Sequence, residues 1–160
     1  MLAGLILSLL VAQADRPTVF VFTTTDCPIS NRYAPEIQRL SAKFGDRVRF
    51  VLVYPVPNDS LDLIRDHHKK FGYSLAFQRD ESQRLVKQTG VTVTPEVAVM
   101  RGNAVLYRGR IDDRYIDFGK DRPSPTTRDL EDALDALLAG KRVAVRETRA
   151  VGCIIADLVK

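Results

Sequence analysis

Short apolar runs alternate with amphipathic segments along most of the chain, and this order limits the fold more than any other feature. Apolar runs of about four to eight residues are typical of buried strands, whereas apolar residues at three- and four-residue intervals indicate a helix. The predicted strands are 18–22, 47–54, 74–77, 94–100 and 104–108. The predicted helices are 29–44, 61–71, 80–89 and one that begins at Thr126 or Thr127. Alternating units followed by a hairpin predict an α/β domain whose central mixed β-sheet has helices on both faces.

The size and charge of the chain argue against some classes of function. Its 160 residues fit one domain with an ordinary core. The formal charge of +4 comes from Lys and Arg residues scattered among Asp and Glu, which argues against a nucleic-acid partner. His67 and His68 are adjacent and cannot share a helix face as an i, i+4 metal pair would. We expect them to be solvated, and we expect no metal and no other cofactor.

Residues 1–14 have the pattern of a targeting segment. They carry no charged side chain and end in Ala12-Gln13-Ala14, a small-x-small pattern that suits signal cleavage. We therefore expect a signal peptide at 1–14, a folded domain at 15–141, a C-terminal tail at 142–160, and export to the periplasm or the extracellular space. No Lys or Arg precedes the apolar run, so an uncleaved membrane anchor or an N-terminal core helix is an alternative. Contact with a membrane is expected only for such an anchor.

A cysteine lies where the first strand gives way to the first helix. Val19–Phe22 is an apolar run, Asp26 breaks it, and an amphipathic pattern begins at Ile29, so Cys27 is predicted at a helix N-terminus. Free backbone N–H groups and the positive end of the helix dipole favour a thiolate there, the form that attacks disulfides and peroxides. The carboxylate of Asp26 opposes the thiolate unless it faces solvent. Cys27 is therefore the candidate reactive group.

The second cysteine, Cys153, lies in the tail, far from Cys27 in sequence. An even number of cysteines in an exported protein is consistent with a structural disulfide. Cys153 can instead resolve the chemistry of Cys27, remain a buried thiol that packs as a small hydrophobe, or form an intermolecular disulfide. The residues alone leave these alternatives open.

Three features of the chain occur together. They are Cys27 at the strand-to-helix turn, Ala34-Pro35 inside the first helix, and Thr94-Pro95 at the start of a later strand. In this combination the chain resembles the thioredoxin-like superfamily, and in particular its redoxin branch of secreted thiol–disulfide oxidoreductases and peroxiredoxins. The resemblance implies a thioredoxin-like fold over most of 16–140. It also implies a cis-proline at Pro95 that faces Cys27, with Thr94 and Pro95 shaping a substrate-binding edge for peptides.

The chain departs from the thioredoxin motif at the position of the second cysteine. The usual C-x-x-C is Cys27-Pro28-Ile29-Ser30 here, so a hydroxyl replaces the resolving thiol. Ser30 can hydrogen-bond the thiolate of Cys27, but it cannot release a mixed disulfide. Release then needs Cys153, an external thiol reductant or a partner protein.

The leading hypothesis is an exported thiol–disulfide oxidoreductase whose Cys27 attacks protein or small-molecule disulfides, with Cys153 as the resolving residue. The alternative enzyme is a peroxiredoxin-like antioxidant that reduces peroxides, because Thr24 and Cys27 reproduce the T-x-x-C of that family, in which the threonine positions the peroxide. Arg101 is the candidate for the arginine of that family. A non-catalytic thioredoxin-fold module with a structural disulfide is the third hypothesis.

Two segments after the last predicted strand have weaker patterns. The region 112–125 is polar and contains glycine and prolines, which predicts a surface loop. The charged residues at 110–115 resemble a stretch that follows the last strand in secreted redoxin-like proteins, but the expected structure is a solvated loop. The tail at 142–160 has no pattern that assigns it a fold.

Overall fold

The computed structural model describes residues 16–156, and the predicted signal peptide at 1–14 lies outside the described residues. The strands are β1 (Thr18–Phe22), β2 (Arg49–Tyr54), β3 (Ala76–Arg79), β4 (Val93–Thr94), β5 (Glu96–Arg101), β6 (Ala104–Gly109), β7 (Tyr115–Asp117), β8 (Lys120–Asp121) and β9 (Cys153–Ile154). The helices are α1 (Pro28–Arg32), α2 (Ala34–Phe44), α3 (Leu61–Phe71), α4 (Arg84–Thr89) and α5 (Asp129–Leu138). Within this range, no helix has the length and apolar character needed to cross a membrane.

Five strands form one central mixed sheet in the order β3-β2-β1-β5-β6. Strands β1, β2 and β3 are parallel, whereas β5 is antiparallel to both β1 and β6. In the middle strand, Val19, Val21 and Phe22 are fully buried, as expected where both faces of a strand are covered. The α/β class and the mixed sheet predicted from the sequence are confirmed.

Helices cover both faces of this sheet, but unevenly. Helices α2, α3 and α5 pack on the face that carries Val19 and Leu52. Helix α4 packs on the opposite face, against Phe22 and Val53, and Ile155 from the C-terminal segment joins it there. The end of β1, where the reactive cysteine is expected, is therefore enclosed by helices on one side and by the C-terminal segment on the other.

The first and the third predicted helices have different bounds in the structure. The helix predicted over 29–44 is divided at Tyr33 into α1 and α2, and Pro35 stands in the first turn of α2, where a proline does not remove a helical hydrogen bond. The proline therefore lies at the start of a second helix and not inside one continuous helix. The helix predicted over 80–89 begins only at Arg84, because Gln83 has a positive φ of 52° and cannot continue a right-handed helix.

The segment predicted as a surface loop, 112–125, contains the β7–β8 hairpin instead. Asp112 and Asp113 are only 4% and 7% exposed, so the expectation of a solvated loop at 110–115 is wrong. Asp113 accepts the N–H groups of Thr126 at 2.6 Å and Thr127 at 2.9 Å. These bonds satisfy a buried carboxylate and hold both threonines outside the helix, which explains why α5 begins at Asp129.

The C-terminal tail runs back along β6 and ends against β4. The N–H of Arg108 donates to Arg146 at 2.9 Å, and the N–H of Thr148 donates to Arg108 at 3.1 Å. The tail passes so close to Gly109 that a Cβ there would lie 2.8 Å from the backbone nitrogen of Thr148. Strand β9 then pairs antiparallel with β4, which places Cys153 opposite Thr94.

Candidate active site

Cys27 lies in the turn between β1 and α1, where the sequence predicted it. Its φ of −76° and ψ of 111° are those of an extended residue before a helix, and its carbonyl oxygen accepts the N–H of Asn31 at 3.0 Å. Asp26 is exposed, so its carboxylate faces solvent, and its charge is one of the smaller causes that raise the pKa of Cys153. Cys27 itself is only 1% exposed. The reactive candidate is therefore a buried thiol at the end of the middle strand.

The loop between β4 and β5 supplies the second part of the site. The Thr94-Pro95 peptide bond is cis, as the resemblance implies. Thr94 is 1% exposed, and its carbonyl oxygen accepts the S–H of Cys27 at 3.1 Å. The carboxylate of Glu96 accepts the N–H groups of Thr92 at 2.7 Å and Val93 at 3.3 Å, which fixes the loop. Glu96 has no signal in the sequence beyond its place next to Pro95.

Strand β9 supplies the third part of the site. The Sγ atoms of Cys27 and Cys153 are 2.7 Å apart, and both cysteines are free thiols. A disulfide needs a sulfur–sulfur distance of about 2.0 Å, so a small movement of the tail suffices for the two residues to bond. The structure thus brings together four residues singled out from the sequence, namely Cys27, Cys153, Thr94 and Pro95.

The two thiols have pKa values shifted in opposite directions. Burial works to raise the pKa of Cys27, but the Cys153 thiol and the nearby polar groups of Ser30 outweigh it, so the pKa is lowered. Burial raises the pKa of Cys153 to about 12, and its hydrogen bond to Cys27 adds to this effect. The carbonyl of Thr94 can only accept a hydrogen bond, so it favours the protonated form of Cys27 and limits the decrease. Cys27 is therefore the sulfur that ionises first, with Cys153 as a proton donor to it.

Ser30 and Thr24 differ in their relation to the sulfur. Ser30 is 1% exposed, and its hydroxyl has no hydrogen-bond partner among residues 16–156. The hydroxyl lies close enough to Cys27 to lower the pKa of its thiol, and a thiolate there satisfies it. Thr24 is buried at the end of β1 and, within the described part of the chain, makes no hydrogen bond to the sulfur. Ser30 therefore belongs to the site, whereas Thr24 lies beside it.

A chain of hydrogen bonds from α3 supports the cysteine turn. The Tyr54 hydroxyl lies 2.8 Å from Nδ1 of His67, Nε2 of His67 lies 2.7 Å from Oδ1 of Asn31, and the amide nitrogen of Asn31 donates to the carbonyl oxygen of Thr25 at 3.3 Å. Burial lowers the pKa of His67 to about 4, so the imidazole is neutral at pH 7. The pattern is consistent with a neutral ring that donates from Nε2 and accepts at Nδ1.

The prediction that His67 is solvated is wrong, because this residue is only 4% exposed. The sequence contained the signal: Ile64, His67 and Phe71 have the i, i+3, i+7 spacing of one helix face. His68 is half-buried on the same helix. Among residues 16–156, no group of three or more His, Cys, Asp or Glu side chains could hold a metal ion.

A buried carboxylate also supports the cysteine turn. Asp59 accepts the hydroxyl of Thr25 at 2.5 Å and its backbone N–H at 3.3 Å. Burial raises the pKa of Asp59, and the hydrogen bonds from Thr25 oppose this shift. Sequence reasoning missed Asp59, since it precedes α3 in a polar loop that only the fold brings to the turn.

Arg101, the arginine candidate for a peroxide site, lies far from the sulfur. It stands at the end of β5 opposite to Pro95, five residues from Glu96. At about 3.3 Å per residue, this places its backbone some 17 Å along the strand from the cis-proline loop. Arg101 therefore does not belong to the site around Cys27.

A sequence profile described as thioredoxin-like matches residues 15–104 of the chain. No curated protein matches the chain. Among solved structures, an uncharacterised conserved protein from Geobacillus kaustophilus is 27% identical, with a TM-score of 0.78, over 91% of this chain and 79% of its own. A hypothetical protein from Sinorhizobium meliloti is 25% identical, with a TM-score of 0.75, over 92% of this chain and 82% of its own. Coverage this large extends past residue 104, where the profile match ends.

A more distant structure has a functional description. It is a secreted disulfide oxidoreductase of Mycobacterium tuberculosis described as homologous to E. coli DsbE, and it is 18% identical, with a TM-score of 0.51, over 79% of this chain and 82% of its own. At this level of identity, the likeness concerns the fold alone.

Proposed function

Because this chain belongs to the thioredoxin-like family, we propose that it is a thiol–disulfide oxidoreductase in which Cys27 attacks a substrate disulfide and Cys153 completes the exchange. The recognition of this superfamily from the sequence is confirmed, and the fold shared with a secreted disulfide oxidoreductase agrees with its redoxin branch. One observation carries the proposal. The sulfurs of Cys27 and Cys153 lie 2.7 Å apart beside a cis-proline loop, although 125 residues separate them in the chain.

The first step uses the low pKa of Cys27. Its thiolate attacks one sulfur of the substrate disulfide, a new bond forms between Cys27 and that sulfur, and the substrate disulfide breaks. The electron pair leaves on the second substrate sulfur as a thiolate, which takes up a proton from solvent. The hydroxyl of Ser30 and the thiol of Cys153 hold the negative charge of Cys27 before the attack.

The second step uses a change in the surroundings of Cys153. The hydrogen bond to the Cys27 sulfur is one cause of its raised pKa, after burial. Once Cys27 is part of a neutral mixed disulfide, this cause disappears and Cys153 loses its proton more readily. The Cys153 thiolate then attacks Cys27, forms the Cys27–Cys153 disulfide and expels the first substrate sulfur as a thiolate. In sum, the substrate disulfide gains two electrons, and the protein dithiol loses them.

An external thiol reductant completes the cycle. Cys153 is half-buried whereas Cys27 is 1% exposed, so an incoming thiolate reaches Cys153 first. Attack there releases Cys27, the sulfur with the lower pKa and hence the better leaving group. A second reductant thiol then frees Cys153. In this scheme Thr94 and Pro95 form the substrate edge, and Thr24 supports the turn without touching the sulfur.

The test compares single variants under steady-state turnover with a model protein disulfide and a reducing thiol. We expect Cys153→Ser to accumulate mixed disulfides between Cys27 and substrate, visible by mass spectrometry, while Cys27→Ser gives none. Unchanged turnover in Cys153→Ser would remove Cys153 from the mechanism. A peroxidase would instead show a sulfenic acid on Cys27 of Cys153→Ser after peroxide treatment. A structural module would show no reaction of Cys27 with either oxidant while the fold is intact.

We also propose that the protein works outside the cytoplasm. The support is the signal-like pattern of residues 1–14, together with the fold shared with a secreted protein. Expression of the whole sequence in a bacterium, followed by fractionation and measurement of the mature mass, tests this. Recovery from the periplasm with a mass that lacks residues 1–14 supports export, and an uncleaved cytoplasmic product contradicts it.

A further inference from the structure

An exposed carboxylate stands next to the reactive cysteine. Asp26 directly precedes Cys27, and its side chain faces solvent. Adjacent Cα atoms are about 3.8 Å apart and each side chain adds about 3 Å, so the carboxylate lies within about 9 Å of the Cys27 sulfur. Among residues 16–156, no Lys, Arg or His side chain forms a salt bridge with Asp26. Its negative charge is therefore not neutralised within this part of the chain.

The charge of Asp26 also acts on the second sulfur of the pair. The Sγ atoms of Cys27 and Cys153 are 2.7 Å apart, so both lie within about 12 Å of the carboxylate. The charge of Asp26 raises the pKa of Cys153, after larger contributions from burial and from Cys27. Cys153 is half-buried and is the sulfur that an incoming thiolate reaches first. A reductant therefore approaches the disulfide within the field of this carboxylate.

The charged groups on the other side of the cysteine turn do not offset this field. The charge of Asp26 is among the causes that raise the pKa of Asp59, which is buried behind the turn. Arg79, a cation that acts on Asp59, is paired with Glu81.

The tail carries one further basic side chain before Cys153. Arg149 borders an open cavity of about 700 Å³ between the tail and the loop after β4. The charged side chains that line the cavity with it are Arg108, Glu96, Asp117 and Glu147. The two basic side chains there face three acidic ones, so this cavity supplies no excess of positive charge to the site.

We propose that Asp26 selects the reductant of the protein by charge. The thiol that reduces the Cys27–Cys153 disulfide carries a positive charge close to its sulfur, and a thiol with a negative charge in that place is disfavoured. The inference rests on the function proposed above, because it concerns the external thiol that completes the same cycle.

The direction of this selection follows from Coulomb's law. The attacking thiolate is negative, so Asp26 repels it whatever else the reductant carries, and this repulsion slows every thiol alike. A positive group beside the thiolate is attracted to Asp26 and offsets the repulsion, whereas a carboxylate or sulfonate in that place adds to it. Two unit charges about 8 Å apart in water change a rate about twofold.

Two molecules of such a thiol balance the reduction. The first thiolate forms a bond to the sulfur of Cys153, the Cys27–Cys153 bond breaks, and the electron pair leaves on Cys27. The thiolate of the second molecule attacks the sulfur of the first, forms a disulfide with it and releases Cys153 as a thiolate. The two thiols lose their protons to solvent, and Cys153 takes up one of them. The reductant loses two electrons, and the protein disulfide gains them.

The test measures the reduction of the oxidised full chain by three small thiols. They are cysteamine with a positive charge, 2-mercaptoethanol without a charge and 2-mercaptoethanesulfonate with a negative charge. Acid quenching, alkylation and mass spectrometry follow the loss of the Cys27–Cys153 disulfide. Each rate is expressed per concentration of thiolate, which removes the differences in acidity between the probes. The rate with the neutral thiol corrects for any change in the tendency of Cys27 to leave.

We expect Asp26→Asn to lower the ratio of the cysteamine rate to the sulfonate rate about fourfold, the product of about twofold for each charged probe. Asp26→Glu keeps the charge and therefore the ratio. The matched control is Asp46→Asn, which changes the net charge equally. Asp46 is exposed and precedes β2, whose first residue pairs with the first residue of β1, so it lies at the end of the sheet away from Cys27. This control leaves the ratio unchanged. In 1 M salt, where the screening length is about 3 Å, the ratio of the unmodified chain approaches that of Asp26→Asn.

Three results overturn the inference, and thermal unfolding checks that each variant is folded. They are an unchanged ratio in Asp26→Asn, an equal fall of the ratio in Asp46→Asn, and a larger change of the ratio in Arg149→Gln than in Asp26→Asn. If the neutral thiol reduces the disulfide normally in these cases, the proposed oxidoreductase function stands and only the selection by charge fails. If no thiol reduces a Cys27–Cys153 disulfide in the unmodified chain, the proposed function fails and the inference fails with it.

Discussion

Replacement of Gly152 by alanine tests the contact between the tail and the cis-proline loop. A Cβ there would lie 2.6 Å from the carbonyl carbon of Thr94 and closer still to its oxygen, whereas ordinary van der Waals contact begins at 3.4 Å. These are backbone atoms that no side-chain rotation can move. The carbonyl carbon would be about 0.8 Å too close, so β9 has to shift by close to 1 Å or leave β4.

This clash destabilises the oxidised protein more than the reduced protein. Overpacking of this size costs about 1–3 kcal/mol. The reduced chain avoids the cost when it releases the short strand, but a chain with a Cys27–Cys153 bond cannot. We therefore expect Gly152→Ala to raise the reduction potential of the pair by about 20–65 mV, since 30 mV corresponds to about 1.4 kcal/mol for two electrons.

The assay is equilibration of the protein in glutathione redox buffers, with the Cys27–Cys153 disulfide quantified by mass spectrometry after acid quenching. Ile154→Ala is the matched control, since it changes a neighbouring but exposed side chain. An unchanged potential in Gly152→Ala, together with an unchanged melting temperature, would refute the description of β9 as a strand packed directly against Thr94.

Three further substitutions test the surroundings of the site. Ser30→Ala removes a group that lowers the pKa of Cys27, so alkylation of the reduced protein by iodoacetamide at pH 7 slows several-fold. The midpoint of the alkylation rate against pH also moves to higher pH. The control Thr24→Ser leaves both the rate and the midpoint unchanged. Burial lowers the pKa of His67 from 6.5 to about 4, so between these pH values the unfolded chain binds a proton that the folded chain does not. The free energy of unfolding therefore has its full value above pH 6.5 and falls by up to about 3 kcal/mol as the pH drops to 4. His67→Gln should flatten this part of the pH profile in urea denaturation, and an equally steep profile would contradict the assignment. Asp113→Ala leaves the N–H groups of Thr126 and Thr127 without their acceptor, so it should lower the free energy of unfolding by about 1–3 kcal/mol. The alkylation rate of Cys27 should stay unchanged. A loss of reactivity without a loss of stability would contradict a purely structural role.

The sequence predicted those parts of the site that depend on local pattern. Cys27 follows a buried strand and precedes a helix, and this order alone determines its place at the end of the sheet. Pro35 restricts the backbone of its own neighbours, whereas the cis bond before Pro95 was implied only by the resemblance to the thioredoxin-like superfamily. Ser30 follows Cys27 by three residues and therefore lies on the same turn of helix.

The remaining parts depend on contacts between distant segments. Strand β9 has two residues, one of which is exposed, so neither periodicity nor hydrophobicity indicates that it pairs with β4. Asp112 is charged and lies in a polar stretch, but the hydroxyl of Tyr33 donates to it at 2.6 Å from another part of the chain and allows its burial. His67 is the exception, because the apolar face of α3 already included its position.

The proposed mechanism requires that Cys27 and Cys153 form one redox pair. Treatment of the reduced protein with one equivalent of a small disulfide, followed by alkylation of free thiols and proteolysis, tests it directly. We predict a protein that has lost two hydrogen atoms, an absence of alkylated cysteine, and a peptide pair joined through Cys27 and Cys153 that separates on reduction. A product in which Cys27 carries the small thiol while Cys153 is alkylated, with no joined peptide pair, would contradict the claim.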